Sequence, residues 1–524
     1  MTNSFDELAR AGCLFVIGSN TTVAHPMVGM RLMRCQREGG RLIVADPRRT
    51  DLARLADVHL RLRPGTDVPL VNGLMHIIYE NGWHDAAFIA ERTENFDELR
   101  ESLRAWTPEK TEEVTGVPRE LLFRAAELYA RSETSAIVYC LGITQHRCGV
   151  NNVRSLANLS MLCGQIGRPC TGVNPLRGQN NVQGACDMGG LPNYYPGYQF
   201  VDDEAVRLKF EAAWGRPLSP ARGLTAMEMM HGLQEGRLKA MIIMGENPVV
   251  SDPDSGHVVK ALSSAEFLLC IDIFPTPTTE LAHMVLPGAS FAETDGTFTN
   301  SERRVQRVRQ AIPPMAGRTN GQIIQALSRR LGYDMHHASA SEVFDEICSL
   351  APSMGGMSYA RLEGEGLCWP CPTPGHPGTP ILHLGRFTRG KGLFAAIPHV
   401  PPEELPDEEY PLLLSTGMRH AHYLTGTMTR RCAMLERELP ELVTDINPAD
   451  ARRLEIREGA RLRMVSRRGA VVSRIHITDD VPEGLVFAPL HFAEAMVNLL
   501  TCTALDPVSK TPEYKISAVR LERV

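Results

Sequence analysis

The chain has 524 residues, of which 43% are hydrophobic and 22% are charged, and its formal net charge is −6 at pH 7. This length and composition predict a globular enzyme of about three domains, and the acidic balance excludes the basic footprint of a nucleic-acid-binding protein. No apolar run reaches the roughly 20 residues of a membrane-spanning helix, so no transmembrane segment is predicted.

In chain order, the first readable pattern alternates predicted strands with predicted helices. Short apolar runs that end in turn residues indicate buried strands, and longer stretches with helical periodicity lie between them. Alternation of this kind predicts α/β domains with a doubly wound parallel sheet. The predicted elements are a strand at 13–17, a helix at 27–37, a strand at 42–45, a strand at 136–141 and a helix at 153–165.

The same arrangement occurs twice along the chain. The first predicted strand ends at Gly18 and the next at Asp46, and later strands over 240–244 and 267–271 end at Gly245 and Asp272, with spacings of 28 and 27 residues. At the carboxyl ends of parallel strands, glycine lets the backbone approach a phosphate and a carboxylate can accept from ribose or base donors. The matched pairs predict two nucleotide-like ligands, and the alternative is that they are only turn and capping residues. Neither copy contains GxGxxG, which disfavours ordinary NAD binding.

From Tyr410 onward the pattern changes to short apolar runs separated by turns, which predicts a compact, barrel-like β domain. Residues 398–407, rich in proline and acids, are the best candidate linker. The predicted domains are a first α/β nucleotide-binding domain at 1–179, a second at 180–397 and the β domain at 405–524.

The 13 cysteines are scattered singly, which is typical of reduced, buried thiols rather than of a disulfide framework. One close pair, Cys368 and Cys371, lies in a Gly- and Pro-rich stretch, where a structural role is favoured over a redox or metal-binding role. The cysteines form no closely spaced set of the kind that an iron–sulfur cluster requires.

Residues 174–189 are mostly polar and have almost no hydrophobic periodicity, so we expect an irregular segment rather than a regular amphipathic element. Its polar groups must be satisfied by one another or by a ligand. Arg177 offers a fixed fork of donors to a carboxylate and stays protonated when desolvated. On the residues alone, a buried anion site and a self-satisfied polar loop are equally supported.

The stretch from Gly172 to Gly189, with residues 192–199 after it, resembles the signature of formate dehydrogenase large (alpha) subunits. These subunits are molybdopterin oxidoreductases that bind two pterin guanine dinucleotides. The resemblance extends from Leu14 to the C-terminus and includes residues 143–146 and 510–515. It implies two molybdopterin guanine dinucleotides carrying molybdenum or tungsten, and a double-psi β-barrel as the C-terminal domain.

The resemblance also implies residue roles. Arg177 would orient formate beside the metal, and Gln179 would lie next to it near the pterin. The residues implied for one dinucleotide are Gly18, Asn20, Asp46, Arg48, Gly65 and Asp67, with Gly142 and Gln145 as further cofactor-binding residues; those implied for the other are Gly245, Glu246, Asp272 and Thr276; and those contributed by the barrel are Thr416, Gly417, Arg419, His422 and Tyr423.

Formate dehydrogenases of this kind carry a cluster-binding cysteine group, followed by a metal-ligating cysteine or selenocysteine and then a histidine. In those proteins, all of these residues precede the internal position to which Met1 corresponds. We therefore expect the iron–sulfur cluster and the metal ligand to lie outside residues 1–524, and this chain to be inactive alone. One explanation is a selenocysteine codon read as a stop, and the other is a genuinely split subunit. The implied partners are formate, iron–sulfur or other electron-transfer subunits, and the missing N-terminal segment. Residues 1–10 lack a cationic signal region, which predicts a cytoplasmic location unless an export signal precedes them.

Several single residues invite a functional interpretation that the sequence does not favour. His25 and His422 have no second ligand at helical spacing, and a structural role is also favoured for His146. Cys186 is not expected to bind the metal, because the family's ligand comes from an earlier segment. Two alternative functions stay open: a molybdopterin reductase of the nitrate type, which the Arg177 signature disfavours, and a non-catalytic pterin-binding subunit.

Overall fold

The apolar run at residues 13–17 forms a strand whose five residues are all buried, at the centre of a parallel sheet. The computed structural model describes residues 1–524. The chain folds into two units: unit 1 comprises Met1–Leu176, Val249–Gly256 and Ile381–Val524, and unit 2 comprises Arg177–Pro248 and His257–Pro380. The three-domain division made from the sequence stays a prediction.

The α/β part of unit 1 is built on a five-stranded sheet with the strand order β3-β2-β1-β5-β6, in which every neighbouring pair is parallel. The strands of this part are β1 (Cys13–Ile17), β2 (Arg41–Ala45), β3 (Val58–Leu60), β4 (Thr93–Glu94), β5 (Ser135–Tyr139) and β6 (Gly172–Pro175). The predicted strands at 13–17, 42–45 and 136–141 are therefore present, because strands buried on both faces read as continuous apolar runs.

Helices cover both faces of this sheet. Cys13, Phe15 and Ile17 pack against α5 (Asp67–Glu80), α9 (Arg119–Arg131) and α11 (Gly149–Leu162), whereas Leu14 and Val16 pack against α3 (Pro26–Arg37) and α4 (Asp51–Leu55). This doubly wound arrangement confirms the predicted fold class. The helices are α1 (Phe5–Leu8), α2 (Thr21–Ala24), α3 (Pro26–Arg37), α4 (Asp51–Leu55), α5 (Asp67–Glu80), α6 (Ala86–Arg92), α7 (Phe96–Leu103), α8 (Pro108–Thr115), α9 (Arg119–Arg131), α10 (Leu141–Thr144) and α11 (Gly149–Leu162).

Unit 2 contains a three-stranded parallel sheet with the order β11-β10-β9, a three-stranded antiparallel sheet and a short hairpin. Its strands are β7 (Tyr194–Tyr195), β8 (Gln199–Phe200), β9 (Ala240–Met244), β10 (Phe267–Asp272), β11 (Met284–Pro287), β12 (Gly296–Thr299), β13 (Arg304–Val308) and β14 (Leu367–Cys368). Its helices are α12 (Val182–Asp187), α13 (Glu204–Trp214), α14 (Ala226–Gln234), α17 (Pro277–Glu280), α18 (Asn320–Arg330) and α19 (Ala340–Leu350), while α15 (Pro248–Ser251) and α16 (Ser255–Ser263) lie where the chain passes between the units.

The expectation that residues 174–189 are irregular throughout is wrong in two places, because strand β6 includes residues 174–175 and Val182–Asp187 forms helix α12. The helix does not need an apolar stripe. Gln183 and Asp187 are buried one turn apart and bond to each other, with the Gln183 amide donating to the Asp187 carboxylate at 2.8 Å. Polar groups that satisfy one another thus replace the hydrophobic periodicity that sequence reasoning looked for.

The C-terminal part of unit 1 is a closed six-stranded barrel with the order β16-β20-β17-β19-β18-β21. Pairing is mixed: β16–β20 and β17–β19 are parallel and the other pairs are antiparallel. This is the predicted barrel, whereas the linker candidate at 398–407 contains no helix or strand. The remaining elements are β15 (Gly392–Leu393), which pairs with β4, then β16 (Leu412–Gly417), α20 (Ala433–Glu438), β17 (Val443–Ile446), α21 (Pro448–Arg453), β18 (Arg461–Val465), β19 (Ala470–Ile477), β20 (Leu485–Pro489) and β21 (Ser517–Arg523). None of the helices has the length and apolar character needed to cross a bilayer.

Candidate functional site

The carboxyl end of β1 is closed by two glycine backbones in contact. Gly18 has a φ of +57° and its carbonyl accepts from the Gly142 N–H at 3.0 Å. A Cβ on Gly18 would lie 2.7 Å from the Gly142 carbonyl carbon, and one on Gly142 would lie 2.5 Å from the Gly18 oxygen. Neither position therefore tolerates a side chain. The contact lies where the strand order reverses between β1 and β5, which is where open α/β sheets bind ligands.

The carboxyl end of β2 presents Asp46 and Arg48. Asp46 is buried, and its Oδ1 accepts from the Arg48 N–H at 2.8 Å. The Arg48 guanidinium lies over the ring of Phe487, 3.8 Å from its centroid. Burial lowers the pKa of Arg48, and the carboxylates of Asp46 and Asp445 oppose that effect. An arginine in the turn after strand β2 of the α/β part thus contacts a barrel residue within unit 1.

Two further cations lie beside Arg48, and the three residues Arg48, Arg419 and Lys515 are called the cationic cluster below. The Arg419 guanidinium lies 5.6 Å from the centroid of the same Phe487 ring, and the Lys515 ammonium donates to the Thr416 carbonyl at 2.8 Å. Burial, and then the charge of Arg48, lower the pKa of Lys515 to about 8. The charge of Arg48 is repelled by that of Arg419 and in turn repels that of Lys515, so the cluster is suited to a bound anion.

The carboxylates near the cationic cluster compensate it only in part. Arg419 donates to Asp445 at 2.5 Å, whereas Arg48 Nε and Asp46 Oδ1 are 4.0 Å apart. The Arg419 Nε is buried and has no hydrogen-bond partner. A buried donor on a guanidinium without a partner is costly, which indicates that a ligand acceptor belongs there.

Asp67 is the first residue of α5 and is buried beside the carboxyl end of the sheet. Burial raises the pKa of Asp67 to about 7, and the Asp46 carboxylate also raises it. The distance from His146 Nε2 to Asp67 Oδ2 is 4.0 Å. The same Nε2 donates to the Gly142 carbonyl at 2.8 Å. Burial lowers the pKa of His146 to about 4, so the ring is neutral, and its buried Nδ1 has no partner.

The raised pKa of Asp67 predicts a pH-dependent stability. Because the folded value of about 7 exceeds the ordinary 3.8, the contribution of neutral Asp67 is fully present below about pH 4 and is lost as the pH rises through 7. We expect Asp67→Asn to remove this loss and to raise the free energy of unfolding at pH 8 by up to about 4 kcal/mol, at about 1.4 kcal/mol per pKa unit. Urea unfolding at pH 4 and pH 8 measures it, with exposed Asp6→Asn as the control. An equal difference between Asp67→Asn and wild type at both pH values would contradict it.

The remaining residues predicted in unit 1 lie at turns beside this edge or on the barrel. Asn20 precedes α2, Gln145 follows α10, and Gly65, with a φ of +79°, precedes α5. A Cβ on Gly65 would lie 2.4 Å from the Pro402 side chain, so close packing also requires this glycine.

The barrel residues predicted from the sequence surround the carboxyl end of β16. Thr416 donates to the Tyr514 carbonyl at 2.9 Å, and a Cβ on Gly417 would lie 2.8 Å from the Phe487 ring. His422 is buried and donates from Nε2 to the Leu439 carbonyl at 2.8 Å, which leaves its Nδ1 as a buried acceptor without a partner. Tyr423 is 38% exposed and is therefore open to a ligand.

Sequence reasoning did not assign roles to Lys515, Phe487 or Asp445. Lys515 stands in the 510–515 stretch that carries part of the resemblance, and that was a usable signal. Phe487 and Asp445 lie in barrel strands β20 and β17, and their side chains carry no pattern that separates them from ordinary strand residues.

In unit 2, Arg177 is held at the entrance to α12. Its backbone N–H donates to Ser301 Oγ at 3.0 Å, and its Nε donates to Gln183 Oε1 at 3.2 Å. Gln183 in turn donates to Asp187 and to the Tyr198 hydroxyl, both at 2.8 Å. The guanidinium is half-buried rather than fully buried, and one edge of it is fixed by a neutral amide.

Asp187 is the buried acceptor at the end of this hydrogen-bond network. It is 1% exposed, accepts from Gln183, and accepts from the Trp369 indole N–H at 2.8 Å. Burial raises its pKa, against the opposing effect of these hydrogen bonds. Gln179 is exposed, and Cys186 is half-buried with a pKa that burial raises and Arg177 lowers.

The second glycine–aspartate pair lies at the carboxyl ends of β9 and β10. Gly245 has a φ of +67°, and Asp272 Oδ1 accepts from the Ile273 N–H at 2.6 Å, as Asp46 accepts from the backbone near β2. Thr276 caps α17 through its hydroxyl, which accepts from the Thr279 N–H at 3.2 Å. Glu246 is exposed after Gly245. The repeated geometry is therefore real, and Thr276 has a structural role of its own.

Comparison with known proteins identifies the class. A family model described as molybdopterin oxidoreductase matches residues 1–330, and one described as molydopterin dinucleotide binding domain matches residues 412–518. The chain belongs to the molybdopterin oxidoreductase family, and the resemblance stated from the sequence is confirmed.

Within that family the chain is similar to formate dehydrogenase alpha subunits. It is 46% identical over 530 residues to the F420-dependent formate dehydrogenase subunit alpha of Methanocaldococcus jannaschii, which covers 100% of this chain and 78% of the relative. It is 39% identical over 532 residues to formate dehydrogenase H of Escherichia coli, covering 100% and 74%. A solved structure, acetylene hydratase from Pelobacter acetylenicus, is similar with a TM-score of 0.78 at 19% identity over 100% of this chain and 79% of that one, which supports the fold alone.

Proposed function

We propose that this chain binds two molybdopterin guanine dinucleotides with molybdenum or tungsten and, with its partner polypeptides, oxidises formate to carbon dioxide. Formate loses one proton and two electrons in this reaction, and the electrons leave to an external acceptor through electron-transfer subunits. Identity of 46% to a formate dehydrogenase alpha subunit over the whole chain supports the substrate. Side chains of unit 1 and unit 2 support the ligand chemistry.

The donor set of unit 1 fits a dinucleotide. The cationic cluster supplies charge-assisted donors for a diphosphate, and the unpartnered Arg419 Nε is one of them. The Gly18 turn lets the backbone approach a phosphate without a Cβ in the way. Asp46 and Asp67 can accept from ribose hydroxyls or from the N–H groups of a guanine base, and Asp67 would ionise as such donors bind.

Unit 2 supports the second dinucleotide and the substrate anion. Gly245 and Asp272 repeat the arrangement of Gly18 and Asp46, and we assign them, with Glu246 and Thr276, to the second guanine dinucleotide. The metal, when bound on its pterins, would supply the two-electron acceptor.

Arg177 is the residue that we assign to formate. Its guanidinium can donate two parallel N–H bonds to the formate carboxylate, while Gln183 holds its Nε edge from the other side. Asp187 orients Gln183, which bridges the guanidinium and this carboxylate through the two ends of its amide. A guanidinium stays protonated when it is partly desolvated, so Arg177 can offer its charge to the substrate. This relay is the observation that carries the proposal.

We place the metal's protein ligand and an iron–sulfur cluster in polypeptide outside residues 1–524. The M. jannaschii relative is longer, since the match covers 78% of it. Among the 524 residues, no group of three or more His, Cys, Asp or Glu is placed to hold a metal ion. We expect turnover only in the assembled enzyme.

The substrate proposal predicts a strong preference for formate over nitrate. Arg177, held by the neutral Gln183 amide, suits a small carboxylate substrate. The assembled enzyme should therefore reduce a viologen dye with formate at least about 100-fold faster than it oxidises the reduced dye with nitrate. Anaerobic assays of dye reduction with formate and of dye oxidation with nitrate, on one preparation, measure both rates. Faster nitrate reduction would favour the reductase alternative, and a metal-free preparation that binds guanine nucleotide without either activity would favour a non-catalytic subunit.

A further inference from the structure

The Gly- and Pro-rich stretch around Cys368 carries Trp369, whose indole joins the hydrogen-bond network of Arg177. The Trp369 indole N–H donates to Asp187 Oδ2 at 2.8 Å, and the Gln183 amide donates to Asp187 Oδ1 at 2.8 Å. Because Asp187 is buried, loss of either donor would leave a carboxylate oxygen poorly satisfied. Trp369 is therefore the far end of a chain of hydrogen bonds that begins at the residue assigned to formate.

The position of Trp369 is fixed by Arg303. The Trp369 backbone N–H donates to the Arg303 carbonyl at 3.0 Å, and the indole ring lies 5.4 Å from the guanidinium. That guanidinium donates to the Trp369 carbonyl, to the Thr379 carbonyl at 2.9 Å and to the Pro380 carbonyl at 3.1 Å. Arg303 is buried and has a φ of +69°, which is costly for a residue with a side chain. An indole held on both sides in this way can fix the direction of a hydrogen bond.

The order of donors and acceptors from Trp369 to Arg177 allows one arrangement of the Gln183 amide. The indole N–H and the Arg177 Nε–H can only donate, and an ionised carboxylate can only accept. The amide therefore turns both its N–H bonds away from Arg177, one to Asp187 and one to the Tyr198 hydroxyl, each at 2.8 Å. Its oxygen is left to accept from Arg177 Nε at 3.2 Å. A protonated Asp187 could donate to that oxygen instead, and the amide would then turn its N–H bonds toward Arg177.

The charge of Asp187 depends on the donors around it. Burial raises the pKa of Asp187, and hydrogen bonds from the side chains around the carboxylate oppose that effect. Those side chains are Gln183, Trp369, Tyr198 and Thr299. The charged and titratable groups around Asp187 are Arg177, Cys186, Tyr198 and Arg303.

These neighbours keep their charge between about pH 5 and pH 8. Burial raises the pKa of Cys186 above 9.0 and that of Tyr198 above 10.0, and it lowers the pKa of Arg303 only to about 10. Guanidinium groups stay protonated in this range. Within this group of side chains, Asp187 is therefore the one whose charge can change with pH.

We propose that Trp369 is a positioning residue for the substrate, because its bond to Asp187 fixes which end of the Gln183 amide faces Arg177 and so the direction of the guanidinium. This inference rests on the proposed function, which assigns Arg177 to formate. The indole bond also keeps Asp187 ionised, since removal of a donor from a buried carboxylate raises its pKa further. In Trp369→Phe, Asp187 therefore gains its proton at a higher pH, and below that pH the amide no longer offers Arg177 a fixed acceptor.

The pH dependence of kcat/KM for formate in the assembled enzyme tests the proposal. In Trp369→Phe we expect the low-pH limb of the profile to move up by about one pH unit, a loss of about ten-fold on that limb. At higher pH, kcat/KM should stay within about two-fold of wild type. In the background of Asp187→Asn, Trp369→Phe should leave the profile unmoved, because no carboxyl group is left to titrate at that position.

The matched control is Trp214→Phe. It removes another indole N–H of unit 2, which donates to a carboxylate oxygen of Glu346 at 2.9 Å. Because that carboxylate has no hydrogen bond to Gln183, the pH profile of this variant should equal that of wild type. Unchanged thermal unfolding and metal content verify that the variants fold and carry the cofactor.

NMR of the indole N–H groups gives a readout without turnover, because the full chain has only 4 tryptophans. The signal that is missing in Trp369→Phe should change position in Asp187→Asn, whereas the signal that is missing in Trp214→Phe should not.

The proposal is overturned if Trp369→Phe leaves the low-pH limb in place, if it lowers kcat/KM equally at every pH, or if Asp187→Asn leaves the Trp369 signal unmoved. Retained formate turnover in Arg177→Ala would instead refute the proposed function. The NMR readout uses neither formate nor metal, so the two can fail separately.

Discussion

Arg177→Ala in the assembled enzyme is expected to lower kcat/KM for formate by about 10³-fold, which corresponds to about 4 kcal/mol of lost transition-state stabilisation. The guanidinium would make charge-assisted bonds to the carboxylate in a site where Gln183 fixes its direction. Arg177→Lys should recover little of this loss, because an ammonium cannot donate in the same planar fork. Dye-linked formate oxidation across a range of formate concentrations measures the effect.

Two controls separate a substrate role of Arg177 from a structural one. Arg207→Ala removes an arginine of unit 2 that pairs with Glu211 at 2.7 Å on α13, and it should leave formate turnover within about two-fold of wild type. Metal and pterin contents of Arg177→Ala should equal those of wild type. If that variant instead loses its pterins, Arg177 serves the cofactor or the fold and not the substrate.

Lys515→Met is expected to weaken retention of the guanine dinucleotide in unit 1 by about 100-fold, since a charge-assisted bond to phosphate is worth about 1.5–3 kcal/mol. Methionine nearly matches the shape of lysine. Because burial and Arg48 already lower the pKa of Lys515 to about 8, removing this charge should not destabilise the ligand-free protein. The measurement is guanine nucleotide released by acid from purified protein before and after prolonged dialysis.

The matched control is Arg41→Met. Arg41 begins β2, at the end of the strand opposite to Asp46, and pairs with Asp57 at the surface. Its loss should leave nucleotide retention unchanged. Equal retention in Lys515→Met and wild type would show that the cationic cluster does not hold the phosphates.

Much of the fold could be predicted because several strands are short hydrophobic segments bounded by turn residues. The runs at 13–17 and 240–244 read as apolar segments and are β1 and β9 to the residue, and 461–465 is β18. Helix bounds were less accurate: the helix predicted at 153–165 is α11 at Gly149–Leu162, since its first turn contains polar residues that sequence periodicity does not count.

The candidate sites could be predicted only in part. The repeated glycine–aspartate spacing predicted both candidate nucleotide sites, because a turn residue and a carboxylate after the strands form a local sequence pattern. The cationic cluster has no such local sequence pattern. Lys515 and Arg48 are brought together by the packing of the barrel on the α/β part of unit 1, and no spacing along the sequence predicts that contact. Likewise, the hydrogen bond between Gln183 and Asp187 can be predicted only when α12 is known to be a helix, which places the two side chains one turn apart.

We propose that two guanine dinucleotides bind one metal on this chain. The most direct test of this proposal is the ratio of guanine nucleotide to metal to chain in the purified formate-oxidising assembly, with nucleotide released by acid and metal measured by mass spectrometry. We expect two guanines and one molybdenum or tungsten per chain, falling toward one guanine in Lys515→Met. A formate-oxidising assembly with no guanine, or with one guanine per metal in the unaltered protein, would contradict it.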